Sequence, residues 1–177
     1  MTRIYLIGYM GAGKTTLGAP LAKALGMSFI DLDIYIENRY HKSINELFSQ
    51  LGEQEFRIIE HKMLEEVSII ENVLIATGGG AACHFDNLDI MRNSGLTIYL
   101  EVSIEKLHKR LIVGKWKRPK LKNKSNDELL DFITNGLSER LSYYKQAEII
   151  HSGDKLETSS GILNSVASLL IKIDELE

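Results

Sequence analysis

The sequence predicts a three-layer α/β fold in which a five-stranded parallel sheet is covered by helices on both faces. Three observations carry that prediction. Short apolar, β-branched runs alternate with longer stretches of helical period along the 177 residues, and strands spaced by helices form parallel sheets buried on both sides. The first run, Arg3-Ile4-Tyr5-Leu6-Ile7, feeds straight into Gly8-Tyr9-Met10-Gly11-Ala12-Gly13-Lys14-Thr15. That is the spacing G-x-x-x-x-G-K-[ST] of a phosphate-binding loop between a strand and a helix. There is no internal repeat, and a chain of 177 residues reads as one domain, 1–177, with a substantial core.

The elements follow in order. After the loop, Thr16 to Leu25 has Leu17, Leu21, Ala24 and Leu25 on one side of a helix. Pro20 lies inside it, removing one backbone donor and pressing on the Thr16 carbonyl, so the helix is expected to survive but to bend. Ser28-Phe29-Ile30-Asp31 is a short second strand, with helical pattern resuming at Ile34. Ser43 with Glu46 forms a capping box before a long amphipathic helix marked by Phe56, Ile59, Met63, Leu64 and Val67. Val73–Thr77 is the third strand and ends in Gly78-Gly79-Gly80. A short helix over 87–92, a fourth strand over 96–100 and a helix capped by Ser103 and carrying Leu107 and Leu111 come next. A basic stretch without apolar period, 114–124, separates these from a helix over 127–144. A fifth strand over 147–150 and a closing helix over 162–176 complete the chain.

Composition narrows the function classes. Hydrophobic and charged fractions of 44% and 25% are those of an ordinary globular protein. A net charge of −3 gives no general attraction to nucleic acid or anionic membrane. Cys83 is the single cysteine, which excludes an intrachain disulfide and favours a cytoplasmic location. No run of apolar residues is long enough for a membrane span, and Met1 leads directly into the first strand, leaving no room for a signal peptide.

The loop implies a nucleoside triphosphate. Its glycines let backbone N–H groups turn toward an anion, and the helix N-terminus adds partial positive charge. Lys14 can reach the β- and γ-phosphates, and the Thr15 hydroxyl can sit on Mg²⁺. An Asn-Lys-x-Asp stretch for guanine is missing, and the third strand ends in Thr77-Gly78 rather than in an aspartate. The acids come after strand two instead, as Asp31 and Asp33. Two residues apart in an extended segment, they point the same way; one suits a water-mediated Mg²⁺ contact and the other a substrate hydroxyl. The alternative for Asp33 is a helix N-cap. The triple glycine fits either a close backbone approach or a flexible turn. Arg57 and Arg140 fit either a two-pronged grip on a carboxylate or a solvated helix surface. His41, His61, His84, His108 and His151 lack metal-ligand spacing, and Cys83 reads as a small buried residue rather than a reactive thiol.

Taken together, the phosphate loop, Asp31-Leu32-Asp33, Glu55-Phe56-Arg57, Gly78-Gly79-Gly80, Arg118-Pro119 and Glu139-Arg140 with Tyr143-Tyr144 resemble shikimate kinases in order and spacing over essentially the whole chain. The resemblance implies phosphoryl transfer from ATP to the 3-hydroxyl of shikimate, on the way to chorismate and the aromatic amino acids. It implies strand order 2-3-1-4-5, a substrate-binding segment over about 33–61 and a mobile lid over about 114–124. It assigns Gly11, Ala12, Gly13, Lys14, Thr15 and Thr16 to the ATP phosphates, Thr15 and Asp31 to Mg²⁺, and Arg110 and Arg118 to ATP. Asp33, Arg57, Gly78, Gly79, Gly80 and Arg140 fall on shikimate, with Lys14, Asp33 and Arg118 catalytic.

The lid reads Arg118-Pro119-Lys120-Leu121 where Arg-Pro-Leu-Leu is more usual, and Trp116 within it has no assignment. Residues 151–158 are expected to border the adenine. ATP and shikimate are the expected partners, in a monomer without nucleic acid or membrane. Two rivals stand beside this reading. One is a kinase of another small polyol or acid such as gluconate. The other is nucleic-acid binding through Lys115, Lys117, Arg118, Lys120, Lys122 and Lys124 with Trp116 stacking.

Overall fold

The structure, a computed structural model, describes residues 3–114, 121 and 123–176. Five parallel strands lie in the order β2-β3-β1-β4-β5: β1 (Arg3–Ile7), β2 (Ser28–Asp31), β3 (Val73–Ala76), β4 (Leu96–Glu101) and β5 (Ile149–Ser152). The helices are α1 (Lys14–Leu25), α2 (Leu32–Tyr40), α3 (Ile44–Val67), α4 (Asn87–Ser94), α5 (Ile104–Gly114), α6 (Asn126–Tyr144) and α7 (Ser159–Asp174). The central strand β1 is buried from Ile4 to Ile7, and β3 is buried throughout. Such uninterrupted apolar runs belong to a sheet covered on both faces.

Register sets where chemistry can happen. Leu6 pairs with both Ala76 and Ile98, and Ala76 also pairs with Asp31. Gly8, Thr77 and the Asp31 carboxylate therefore emerge along one carboxyl edge of the sheet, where open α/β folds hold ligands.

Several helix ends are built as their sequences dictate. Both Ser43–Glu46 and Ser125–Glu128 form reciprocal capping boxes, and Thr158 accepts from the Gly161 N–H at the start of α7. α1 runs unbroken through Pro20. α3 contains the non-helical residue Gly52 (φ 80°), a kink that lets its second half, with Phe56, Ile59 and Met63 buried, follow the core.

Several boundaries differ from expectation, and three have a clear cause. α2 starts at Leu32 rather than Ile34, because Asp31 ends the strand and caps the helix itself. Asp31 and Asp33 are thus not in one extended segment. β5 starts at Ile149, two residues late, because the N–H groups of Lys145, Gln146 and Ala147 are spent closing the end of α6. α7 starts at Ser159, earlier than expected, on its Thr158 cap. Ser103 gives its carbonyl to the Leu107 N–H at the start of α5, while its own N–H and hydroxyl both donate to Asp154 Oδ1.

Candidate active site

A cavity of about 1100 Å³ opens at the carboxyl edge, lined by the phosphate loop, Asp31, Asp33, Arg57, Glu60, the triple glycine and Arg140. Its two walls are built differently.

The first wall is backbone. The Ala12 N–H donates to the Tyr9 carbonyl at 3.1 Å and tightens the loop. Gly13 precedes α1 in the left-handed region (φ 100°), and a Cβ there would lie 2.9 Å from Leu156, so glycine is required twice over. The Lys14 ammonium folds back to donate to the carbonyls of Gly8 (2.7 Å) and Tyr9 (3.1 Å). The Thr15 hydroxyl donates to Asp31 Oδ2 at 2.5 Å. The other oxygen of Asp31 accepts from the N–H groups of Asp33 (3.0 Å) and Ile34 (3.3 Å). The helix cap considered for Asp33 is therefore Asp31, and the Asp33 carboxylate is left to face the cavity.

The second wall is side chain. Burial pushes the Asp33 carboxyl above its ordinary range, the Asp31 charge adds to the rise, and Lys14 opposes it. Arg57 is buried and donates through Nη1 to Glu60 (2.6 Å) and through Nη2 to Glu53 (3.2 Å), with the Phe48 and Phe56 rings about it at 5.6 and 5.5 Å. Its Nε has no hydrogen-bond partner among the described residues.

Glu60, only 1% exposed, is the functional neighbour that motif reading missed. Burial raises its carboxyl while Arg57 pulls the other way. The signal was present: Glu60 sits on the apolar stripe of α3 with Phe56, Ile59 and Met63, one helical turn from Arg57.

The triple glycine is a hydrogen-bonded turn rather than a flexible one. Its carbonyls are engaged, Gly78 with the Ala81 N–H, Gly80 with the Cys83 N–H, and Gly79 with the Tyr144 hydroxyl. This makes a tight turn running into the short 3₁₀ segment Ala81–Cys83. It is also a close approach, since a Cβ on Gly79 would stand 2.9 Å from the Met10 nitrogen of the phosphate loop. Arg140 reaches the cavity from α6, with its guanidinium 5.2 Å from the Tyr9 ring centroid.

Arg110 is fully engaged. Its Nε and Nη2 donate to Glu157 (3.0 and 2.8 Å), Nη1 to the carbonyls of Gly11 (3.2 Å) and Ala12 (3.0 Å), and Nη2 also to Gly153 (2.6 Å). With five donors taken, what remains for a nucleotide is the flat face of the guanidinium, which suits an adenine ring better than a phosphate.

Arg118, Trp116 and residues 115–120 and 122 of the expected lid lie outside the described residues. Leu121, which is described, is buried and lines the cavity. Cys83 lines the cavity, and burial pushes its thiol up to about 11, which keeps it protonated at neutral pH.

Residues 10–171 match the sequence model of the shikimate kinase family. The chain belongs to that family. Shikimate kinases of Parabacteroides distasonis and Bacteroides fragilis are 51% and 53% identical to it, over 98% and 96% of this chain and 99% and 94% of theirs. The crystal structure of the shikimate kinase of Bacteroides thetaiotaomicron superposes with a TM-score of 0.91 at 46% identity, covering 97% of this chain and 98% of that one. The Acinetobacter baumannii shikimate kinase, solved in complex with shikimate, gives 0.85 at 31% identity over 100% and 96%. A gluconokinase from Sinorhizobium meliloti shares the fold alone, with a TM-score of 0.60 at 18% identity. The chain is thus an ATP-dependent kinase of the shikimate kinase family, on a P-loop fold with strand order 2-3-1-4-5. No helix among the described residues is long and apolar enough to cross a membrane.

Kinases that use ATP generally take Mg²⁺ with it, and the donors here fit such an ion. They are a threonine hydroxyl and one carboxylate beside the phosphate loop, and among the described residues there is no cluster of three or more His, Cys, Asp or Glu that would form a cage. Mg²⁺ is bound through few protein oxygens together with substrate phosphates and water.

Proposed function

We propose that this chain transfers the γ-phosphoryl group of ATP to the 3-hydroxyl of shikimate, giving shikimate 3-phosphate and ADP. The observation that carries the reading is the charge layout of one cavity. A phosphate loop with Lys14 forms one side, and Asp33, Arg57, Gly79 and Arg140 form the other. Shikimate offers one carboxylate and three hydroxyls to match. In this reading the loop N–H groups and Lys14 take the phosphates, with Lys14 leaving the Gly8 and Tyr9 carbonyls to do so. Thr15, and Asp31 through water, would hold Mg²⁺, which supplies charge neutralisation on the phosphate oxygens.

Arg57 and Arg140 orient the carboxylate, and the glycine turn closes on the ring. Asp33 accepts a hydrogen bond from the 3-hydroxyl. As that oxygen bonds to the γ-phosphorus, the bond to the ADP oxygen breaks and the hydroxyl proton passes to Asp33. A carboxyl raised toward neutrality by burial is better suited to taking that proton than an ordinary one. No covalent enzyme intermediate is formed; positioning and electrostatics supply the acceleration. Arg118, from the lid, completes the charge on the transferring group. We assign the enzyme to the cytoplasm, in keeping with its single cysteine.

The test is a coupled assay of ADP release across shikimate, gluconate and nucleoside monophosphates. Turnover with shikimate should dominate. Turnover dominated by gluconate would move the chain to a different acceptor.

A further inference from the structure

The two arginines read as holding the carboxylate are themselves held in different ways. Arg57 is paired with two carboxylates, with the Phe48 and Phe56 rings also beside it. Arg140 meets the Tyr9 side chain, its guanidinium carbon 5.2 Å from the ring centroid, and it also interacts with the Tyr9 hydroxyl. Tyr9 is the second residue of the phosphate loop and does not line the cavity; it stands behind it, 1% exposed. Its position is over-determined. The hydroxyl donates to the Phe132 carbonyl of α6 at 3.4 Å. It also fills the space beside Gly136, where a Cβ would come within 2.6 Å of it. Its own carbonyl accepts from the Lys14 ammonium and the Ala12 N–H, each at 3.1 Å.

We propose that Tyr9 is a positioning residue for Arg140: its ring is the platform that seats the guanidinium and leaves the planar N–H edge for the substrate carboxylate. A guanidinium seated against an aromatic side chain keeps more of its donors available than one paired with two carboxylates. Because the Tyr9 carbonyl also restrains Lys14, a single loop residue sets a cation on each wall of the cavity. This rests on the reading that Arg140 meets the carboxylate.

Steady-state kinetics with both substrates varied test it, using Tyr9→Leu, Tyr9→Phe, Arg140→Gln and the Tyr9→Leu/Arg140→Gln double variant. Losing a ring platform should raise the KM for shikimate roughly two- to thirtyfold, with smaller changes in kcat and in the KM for ATP. Tyr9→Phe keeps the ring and should restore most of the loss. In the Arg140→Gln background, Tyr9→Leu should add little, since its target is gone. Equal damage from Phe and Leu, or an undiminished effect of Leu in the Arg140→Gln background, would overturn the proposal. If Arg140→Gln raises the KM while Tyr9→Leu leaves it unchanged, the proposal alone fails. If Arg140→Gln itself leaves it unchanged, the assignment of the carboxylate to Arg140 falls, and the proposal with it. Should Tyr9→Leu fail to fold, graded fluorination of a phenylalanine at position 9 weakens the ring's negative face with little change of shape. The KM for shikimate should then climb with fluorine number, and a flat response would overturn the proposal.

Discussion

The two walls of the cavity are built by opposite means. The phosphate wall is contiguous in sequence and made of backbone, with Lys14 as its one long charged side chain, held by two loop carbonyls. The acceptor wall draws on α2, α3, the glycine turn and α6, and its opposite charges hold one another: Arg57 against Glu60 and Glu53, Asp33 against Lys14 and Arg57. A backbone site carries its donors wherever the chain folds. A side-chain site works only as a set, because each buried charge is tolerable only beside its partner. Substitutions on the first wall should therefore act on chemistry alone, and those on the second should entangle chemistry with stability.

The largest effect should come from Lys14→Ala, which removes the charge facing the phosphates. Turnover should fall on the order of a thousandfold, while circular dichroism shows the fold intact. Near-normal turnover would take the phosphate wall out of the reaction.

Asp33→Asn comes next, with kcat falling roughly a hundredfold or more. Its effect on stability has a definite sign. The folded chain binds the Asp33 proton more tightly than the unfolded chain, because burial raises the carboxyl. Wild-type stability is therefore lost as pH rises from the ordinary carboxylate range through the raised value. Asn carries no such charge, and the α2 cap is Asp31, so the variant should melt no lower than wild type at neutral pH and should lose any advantage in acid. A melting temperature well below wild type at neutral pH would make Asp33 a structural residue.

The Arg57–Glu60 pair separates the two walls most sharply. Glu60→Ala leaves a buried guanidinium paired with the half-exposed Glu53 alone among its ion pairs in the described residues, and should cost about 3 kcal/mol as well as raising the KM for shikimate. Replacing both, as Arg57→Met with Glu60→Leu, should recover much of that stability in urea denaturation while shikimate binding stays lost. Recovery of binding along with stability would show that the pair only fills space.

The smallest effect tests a residue that serves both walls. Asp31→Asn keeps the acceptor that caps α2, so melting should stay close to wild type. The apparent affinity for magnesium and ATP should weaken by about tenfold, read from the KM for ATP at limiting magnesium. A fall in melting temperature with unchanged ATP kinetics would restrict Asp31 to the cap.

Much of this was legible in the sequence because it is local. A phosphate loop needs glycine at fixed offsets, a capping box needs Ser and Glu three apart, and a buried strand needs an apolar run; each constraint is satisfied within a few residues. The fold, the loop, the order of strands and helices, and several of the residue types lining the cavity followed from such constraints and from the family resemblance.

What only the tertiary structure decided is which side chains meet. Helical spacing puts Glu60 one turn from Arg57 on the buried face of α3, but it does not say that this pair would lie beside Gly78. Spacing could not tell whether Asp31 or Asp33 caps α2; that depended on where the strand ends, and the strand ends where β3 stops pairing with it. Nor could it show that Arg110 is consumed by Glu157 and the loop carbonyls, or that Tyr9 lies under Arg140. The contacts of Arg110 and of Arg140 join residues far apart in the chain. They form because packing the helices onto the sheet brings the side chains together, and no rule of local conformation specifies them.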